Sequence, residues 1–188
     1  MLRRGIVAVL VVVGALALAP AALADDCPGQ PPMEHPFAAW GDDGDYFLAP
    51  GGNFESSSSW TLADGASVEA GLSPRDSNDS LVLPPGASAL SPAICVADGY
   101  RHARMMGTAV GSEQTRVRVE VLYGTVDDRS LGVRVYGSWD ATRQFLLGQR
   151  DFALDPTTGL GQIQLRFTSD GPGTAVLDDV YVDPTARH

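Results

Sequence analysis

Three stretches of the chain alternate apolar and polar residues with a period of two. In Thr115-Arg116-Val117-Arg118-Val119-Glu120-Val121 the valines share one face and the charged side chains the other. Leu131, Val133 and Val135 repeat the pattern with Arg134 and Tyr136 outward. Gln162 to Thr168 repeats it again, with Ile163, Leu165 and Phe167 inward and Gln164 and Arg166 outward. This is the period of a pleated strand, whose successive Cβ atoms point to opposite faces. Strands with one wet face belong to antiparallel sheets.

Shorter β-branched or aromatic segments, each bounded by Gly, Pro, Asp or Ser, recur about every ten residues. Together the pattern predicts strands over 46–49, 59–63, 67–70, 80–83, 93–97, 102–108, 115–123, 130–138, 144–147, 162–168 and 174–182. No window has a helical period. Gly51-Gly52, residues 56–59 and Pro84-Pro85-Gly86 read as loops or turns, and Asp127-Asp128-Arg129 as the loop of a hairpin. The expected fold class is all-β, an antiparallel β-sandwich.

A signal helix precedes it. Arg3 and Arg4 lead into an apolar run from Gly5 to Ala19, followed by Pro20 and by Ala22-Leu23-Ala24 ahead of Asp25. This is the layout of a secretory signal peptide with an Ala-x-Ala cleavage site. About fifteen apolar residues fall short of the roughly 20 that span a bilayer, which disfavours an anchor. Cleavage after Ala24 predicts a secreted, extracellular chain with no membrane span. Cys27 near the cleavage site raises a lipid-modified alternative, against which Asp25 and Asp26 count. The expected units are therefore a signal peptide over 1–24, an extended arm and first strand over 25–50, and the sandwich over 51–188. The run Pro28-Gly29-Gln30-Pro31-Pro32 keeps the arm from being helical.

Charge narrows the partners. The chain carries 13 basic residues, every one Arg, against 23 acids, for a net charge of −10. Nucleic acid is not an expected partner, because phosphate contacts need a basic footprint. Two cysteines, Cys27 and Cys95, allow a single intramolecular pairing in an oxidising compartment. Closing a loop of about 69 residues stabilises a fold by roughly 4 kcal/mol in the chain-entropy model.

Two segments at opposite ends carry a family resemblance. Gly51-Gly52-Asn53-Phe54-Glu55, followed by Trp60, resembles the opening motif of the galactose-binding-like jelly-roll modules, the carbohydrate-binding modules found beside glycoside hydrolases. Leu177-Asp178-Asp179-Val180-Tyr181-Val182 is similar to their closing strand. The whole layout looks closer still to a group of small secreted bacterial proteins sharing its Cys, Trp-Gly-Asp and Asp-Asp-Val-Tyr-Val-Asp-Pro segments. The resemblance implies a jelly roll. It also implies a structural calcium ion shared by Glu55 and Asp178, with Asp179 as the alternative ligand, a donor set suited to a hard cation.

Catalysis has little support. His35, His102 and His188 stand in no triad context, and Gly-x-Ser-x-Gly, His-Glu-x-x-His and phosphate-cradling loops are absent. The expected function is non-catalytic binding of carbohydrate or a cell-envelope polysaccharide. A secreted structural or surface protein without a small ligand is the alternative, and a glycan-active hydrolase using two of the many acids is a second. The candidate binding face is built from Arg118, Arg134, Tyr136, Gln164 and Arg166 and rimmed by Trp139. Arg offers a planar fork for carboxylate or sulfate, and Tyr or Trp a stacking plane. The competing reading is a cross-strand ladder, with these arginines paired to an acid such as Glu120. Trp60 is expected in the core, Trp40 over the sandwich end, and Trp139 in solvent. On the exported protein, alkylation without reductant followed by mass spectrometry is expected to leave Cys27 and Cys95 unmodified; two alkylated thiols would exclude the bridge.

Overall fold

The computed structural model describes residues 31–55, 59–72, 79–97, 100, 102–123, 126–143, 145–147 and 159–183. The expected signal helix, Cys27 and His188 lie outside the described residues. In chain order the strands are β1 (Phe47–Leu48), β2 (Thr61–Ala63), β3 (Ser67–Glu69), β4 (Ser80–Leu83), β5 (Ser88–Leu90), β6 (Ile94–Ala97), β7 (His102–Val110), β8 (Arg116–Tyr123), β9 (Val126–Arg134), β10 (Asp140–Ala141), β11 (Phe145–Leu146), β12 (Leu160–Asp170) and β13 (Thr174–Asp183). One antiparallel sheet has the order β10-β7-β13-β4-β3, with β1 added to β13 and β11 to β7. The other has the order β2-β5-β12-β8-β9, with β6 added to β12. Among the described residues the only helical element is a 3₁₀ turn at Ala38–Trp40, and no helix is long and apolar enough to cross a membrane.

The alternating residues do what their period requires. Val117, Val119 and Val121 of β8, Val133 of β9 and Ile163, Leu165 and Phe167 of β12 are all buried. They share one core with Leu81, Leu83, Ala103, Met105, Leu177 and Val182 of the opposite sheet. Trp60 is in this core as expected, its ring 5.1 Å from Phe54 and 5.4 Å from Phe167, with its Nε1–H donating to Pro50 O at 3.2 Å. Aromatic burial on this scale supplies a large share of a small sandwich's stabilisation.

The turn at Pro84-Pro85-Gly86 forms as expected, Ala87 N–H donating to Pro84 O at 2.9 Å. Two short strands, β5 and β10, lie where none was expected. Each has only two or three residues, so neither carries a readable period. The hairpin loop expected at Asp127-Asp128-Arg129 is corrected: these residues belong to β9, and pairing with β8 continues to Tyr123↔Val126. The register shifts between Val121 and Leu122, so β9 has one residue more than β8 over this stretch. A bulge takes up the extra residue, which lets turn-forming residues sit within a strand. At its other end β9 stops at Arg134 rather than Ser138. There the chain leaves the six-stranded sheet, Val135 N–H donating to Thr115 O at 3.5 Å and Tyr136 O accepting from Ala109 N–H at 2.5 Å on the other sheet.

The arm folds back on itself instead of trailing. Glu34 and Tyr46 exchange backbone hydrogen bonds of 2.7 and 2.9 Å. Between them Phe37 is fully buried on the outer face of the seven-stranded sheet, in a second cluster with Tyr46, Met106, Ala141 and Tyr181. Its ring meets Tyr46 edge-on at 4.9 Å and Tyr181 at 5.7 Å, and the Arg104 guanidinium lies 4.8 Å from its centroid. Arg104 donates through Nε to Thr142 O at 2.6 Å and through Nη1 to Asp42 Oδ2 at 2.5 Å. Asp42 accepts also from Tyr46 Oη at 2.6 Å and from Gly44 N–H at 3.1 Å.

Burial by itself would raise the Asp42 carboxyl pKa. The hydrogen bonds from Tyr46 and Gly44, together with the charge of Arg104, outweigh burial and hold it below the usual carboxylate value. A carboxyl held low in the folded state stabilises that state above its unfolded pKa of about 3.9, and the contribution is lost as pH falls through the folded value. Asp42→Asn is expected to cost about 1–2 kcal/mol at pH 6, with the gap to the parent closing below pH 3. Thermal melts at the two pH values check this, and a gap equal at both would overturn it.

Candidate functional site

The register gathers four of the six proposed binding residues on one surface. Arg118 and Arg134 lie on β8 and β9, and Gln164 and Arg166 on β12, all on the side opposite the buried valines. Glu120 stands directly opposite Arg166. Its carboxylate is 3.5 Å from Arg118 Nη1 and 3.7 Å from Arg166 Nη1, and Asp170 Oδ2 is 3.5 Å from Arg118 Nε. Gln164 Nε2 donates to Ser91 O at 2.8 Å. The middle of this face is thus a cross-strand ion-pair ladder, with its polar groups engaged by protein.

Tyr136 and Trp139 are elsewhere, because the chain crosses between sheets at residues 135–136. Trp139 is half-buried against the cluster around Phe37 and does not rim the arginine face. Trp40, at 38% exposure, and Tyr136, at 49%, are the more open aromatics. Tyr136 lines an open recess of about 500 Å³ with Glu113, Gly137, Ser138 and Asp140. The β7–β8 loop supplies Glu113, the β9–β10 loop Tyr136, Gly137 and Ser138, and the first residue of β10 is Asp140, so the recess lies at one end of the sandwich. A Cβ on Gly137 would be 3.8 Å from Glu113 Oε1. The recess therefore presents an aromatic plane, two carboxylates and a hydroxyl in one concavity. Glu113, Ser138 and Asp140 carry no sequence signal of a site, since each looks like an ordinary loop residue until the two loops meet.

The opening and closing motifs meet, as their resemblance implied. Ala49 N–H donates to Val180 O at 2.9 Å and Val180 N–H to Gly52 O at 3.0 Å. A Cβ at Gly52 would lie 2.7 Å from Val180 O, so the close approach requires glycine there. Opposite β7 the register of β13 shifts between Asp178 and Tyr181, and Asp179 takes a φ of 52° within the irregularity. Asp178 and Asp179 are buried, and the Asp179 N–H donates to Asp178 Oδ1 at 2.8 Å. Two buried carboxylates beside a turn are suitable donors for a hard cation. Glu55, by contrast, is exposed. Among the described residues no group of three or more His, Cys, Asp or Glu is placed to hold a metal ion. Cys95 is half-buried on β6, and no described cysteine is a free thiol.

The two antiparallel sheets form a β-sandwich like the jelly rolls of solved carbohydrate-binding modules. The chain is similar to the CBM22-1 xylan-binding domain of Paenibacillus barcinonensis Xyn10C, at 15% identity and a TM-score of 0.50 over 77% of this chain and 97% of that one. It is similar also to a CBM61 module solved with β-1,4-galactotriose, at 15% identity and a TM-score of 0.48 over 73% and 98% of the two chains. A third is CsCBM6-3 from Clostridium stercorarium, solved with cellobiose, at 11% identity and a TM-score of 0.48 over 70% and 92%. At such identities a likeness bears on the fold alone, and here it rests on the xylan-binding domain. No protein-family model matches the sequence, and no curated protein does.

Proposed function

We propose that the protein is a secreted, non-catalytic binder of polysaccharide that holds its ligand in the recess around Tyr136. The observation that carries this reading is the open Tyr136 ring beside Glu113, Ser138 and Asp140 at the end of the jelly roll. Sugar rings present a C–H face that stacks on an aromatic plane and hydroxyls that donate to carboxylates. A short stretch of exposed glycan supplies both at once. The fold adds an argument from architecture, since loops at the end of a rigid sandwich are free to vary while their bases stay fixed. A structural or surface role without a small ligand is favoured by a different observation, the Glu120 ladder, which accounts for Arg118 and Arg166 with no partner molecule.

Affinity electrophoresis of the mature protein through gels containing xylan, β-galactan, glucan or polygalacturonate tests the reading. At least one polysaccharide is expected to retard the parent, and Tyr136→Ala to weaken that retardation by roughly tenfold or more, the loss of one stacking aromatic. No retardation by any of them, or an unchanged Tyr136→Ala, would overturn it.

Calcium at the meeting of the two motifs is the second part of the proposal. Glu55 with Asp178, or Asp179 in its place, would hold the ion, which would neutralise adjoining carboxylates and clamp the opening segment to β13. Chelator is expected to lower the melting temperature by roughly 5–10 °C, the effect of losing a ligand present well above its Kd. Added calcium should restore it, and Asp178→Asn should abolish the response. Identical melts with and without chelator would exclude the ion.

A further inference from the structure

Arg116 and Arg134 are a second feature of the polar face, and the ladder does not use them. They are direct Cα partners on β8 and β9, both exposed, above the buried pair Val117 and Val133. Like charges directly opposite each other in a sheet repel. Asp170, the residue opposite Arg116 on β12, turns its carboxylate to Arg118 instead. Glu120 lies between Arg118 and Arg166. Among the described residues neither Arg116 nor Arg134 is in an ion pair. In a chain with 23 acids and 13 arginines, two arginines paired across strands and ion-paired to no carboxylate stand against the background charge.

Their position connects them to the recess. Arg116–Arg134 is the register pair at the end of the β8–β9 ladder from which the recess loops depart. Tyr136 follows Arg134 by two residues, and Glu113 precedes Arg116 by three. An anion could not sit within the recess itself, where Glu113 and Asp140 would repel it. It fits on the sheet just outside, between two planar donor forks whose geometry matches carboxylate or sulfate oxygens.

We infer that Arg116 and Arg134 form an oxyanion subsite adjoining the Tyr136 recess, so that the ligand is a polysaccharide bearing carboxylate or sulfate groups. This deepens the reading of the Tyr136 site and rests on it. A sugar ring stacks at Tyr136 with hydroxyls toward Glu113 and Asp140, and an acidic substituent of the same chain reaches the arginine pair. Electrostatic attraction there is local, because the protein as a whole repels a polyanion. Binding should therefore weaken with salt.

The test compares the parent mature protein, Arg116→Gln/Arg134→Gln and Tyr136→Ala by affinity electrophoresis and calorimetry. The ligands are polygalacturonate for carboxylate, dextran sulfate for sulfate and β-galactan as the neutral control. The two arginines are exposed, and unchanged melting of the double variant confirms that it is folded. The parent is expected to bind at least one acidic polymer more tightly than galactan, and the double variant to lose roughly tenfold or more of that affinity. Its salt dependence should flatten, with any galactan binding unchanged. Which acidic polymer is preferred distinguishes carboxylate from sulfate. Acidic-polymer binding untouched in the double variant, or a preference for neutral galactan, would overturn the arginine subsite while leaving Tyr136 to be judged by its own variant. Loss in the double variant with Tyr136→Ala unchanged would instead overturn the recess, and the inference built on it. Binding to none of the polymers would overturn both.

Discussion

The meeting of the two ends of this sandwich depends on the backbone of one residue, Val180. Its carbonyl accepts from Ala49 and its N–H donates to Gly52, which extends the β1–β13 pairing of Phe47↔Val182 and Leu48↔Tyr181 into the opening segment. The extension depends on glycine at 52, because a side chain there would collide with the Val180 carbonyl. It depends equally on the irregularity at Asp178–Tyr181, since an unbroken β13 would turn these two groups of Val180 toward β7 instead. From this point β13 runs through the centre of its sheet and presents Leu177, Val180 and Val182 to the shared core. Phe54 and Trp60, carried in by the opening segment, close the core over Phe167.

The two outer faces are treated in opposite ways. On the seven-stranded sheet the chain covers its own surface: Phe37 fills the space between Tyr46 and Tyr181, and Asp42 neutralises Arg104 where that arginine would otherwise be half-buried beside apolar rings. A charge in such surroundings needs a hydrogen-bonded partner, and the arm supplies it. On the six-stranded sheet the outward side chains pair with one another, Glu120 being buried between the half-exposed Arg118 and Arg166. Alternating Arg and Glu keep that face hydrated and discourage the sheet from pairing with another. Its exposed pair, Arg116 and Arg134, adjoins the loops of the Tyr136 recess.

Most of the architecture was legible in the sequence, and the reason is periodicity. Where four or more residues alternate, as in β8 and β12, burial of one face is the only inexpensive arrangement, and the inward residues followed from the pattern alone. The burial of Trp60 followed from its being an aromatic in a stretch with the texture of a strand. The strands missed were too short to carry a period. The arm read as extended because proline excludes a helix, yet whether it trailed or packed depended on whether the sheet offered an apolar surface. That surface is made by Met106, Ala141 and Tyr181, residues far apart in the chain.

The sequence by itself determined the all-β class, the inward faces of the long strands and the outward placement of Arg118, Arg134, Gln164 and Arg166, because each follows from the local alternation of side chains. Only the tertiary structure decided which of those residues were neighbours and which were already neutralised. Glu120 lies between two arginines from different strands, and Tyr136 leaves their face because the chain passes to the other sheet one residue earlier. Glu113 reaches the recess from the β7–β8 loop and Asp140 from the start of β10. Such juxtapositions depend on strand order and register, which hydrogen-bond pairing between distant segments fixes and a single segment's pattern does not contain.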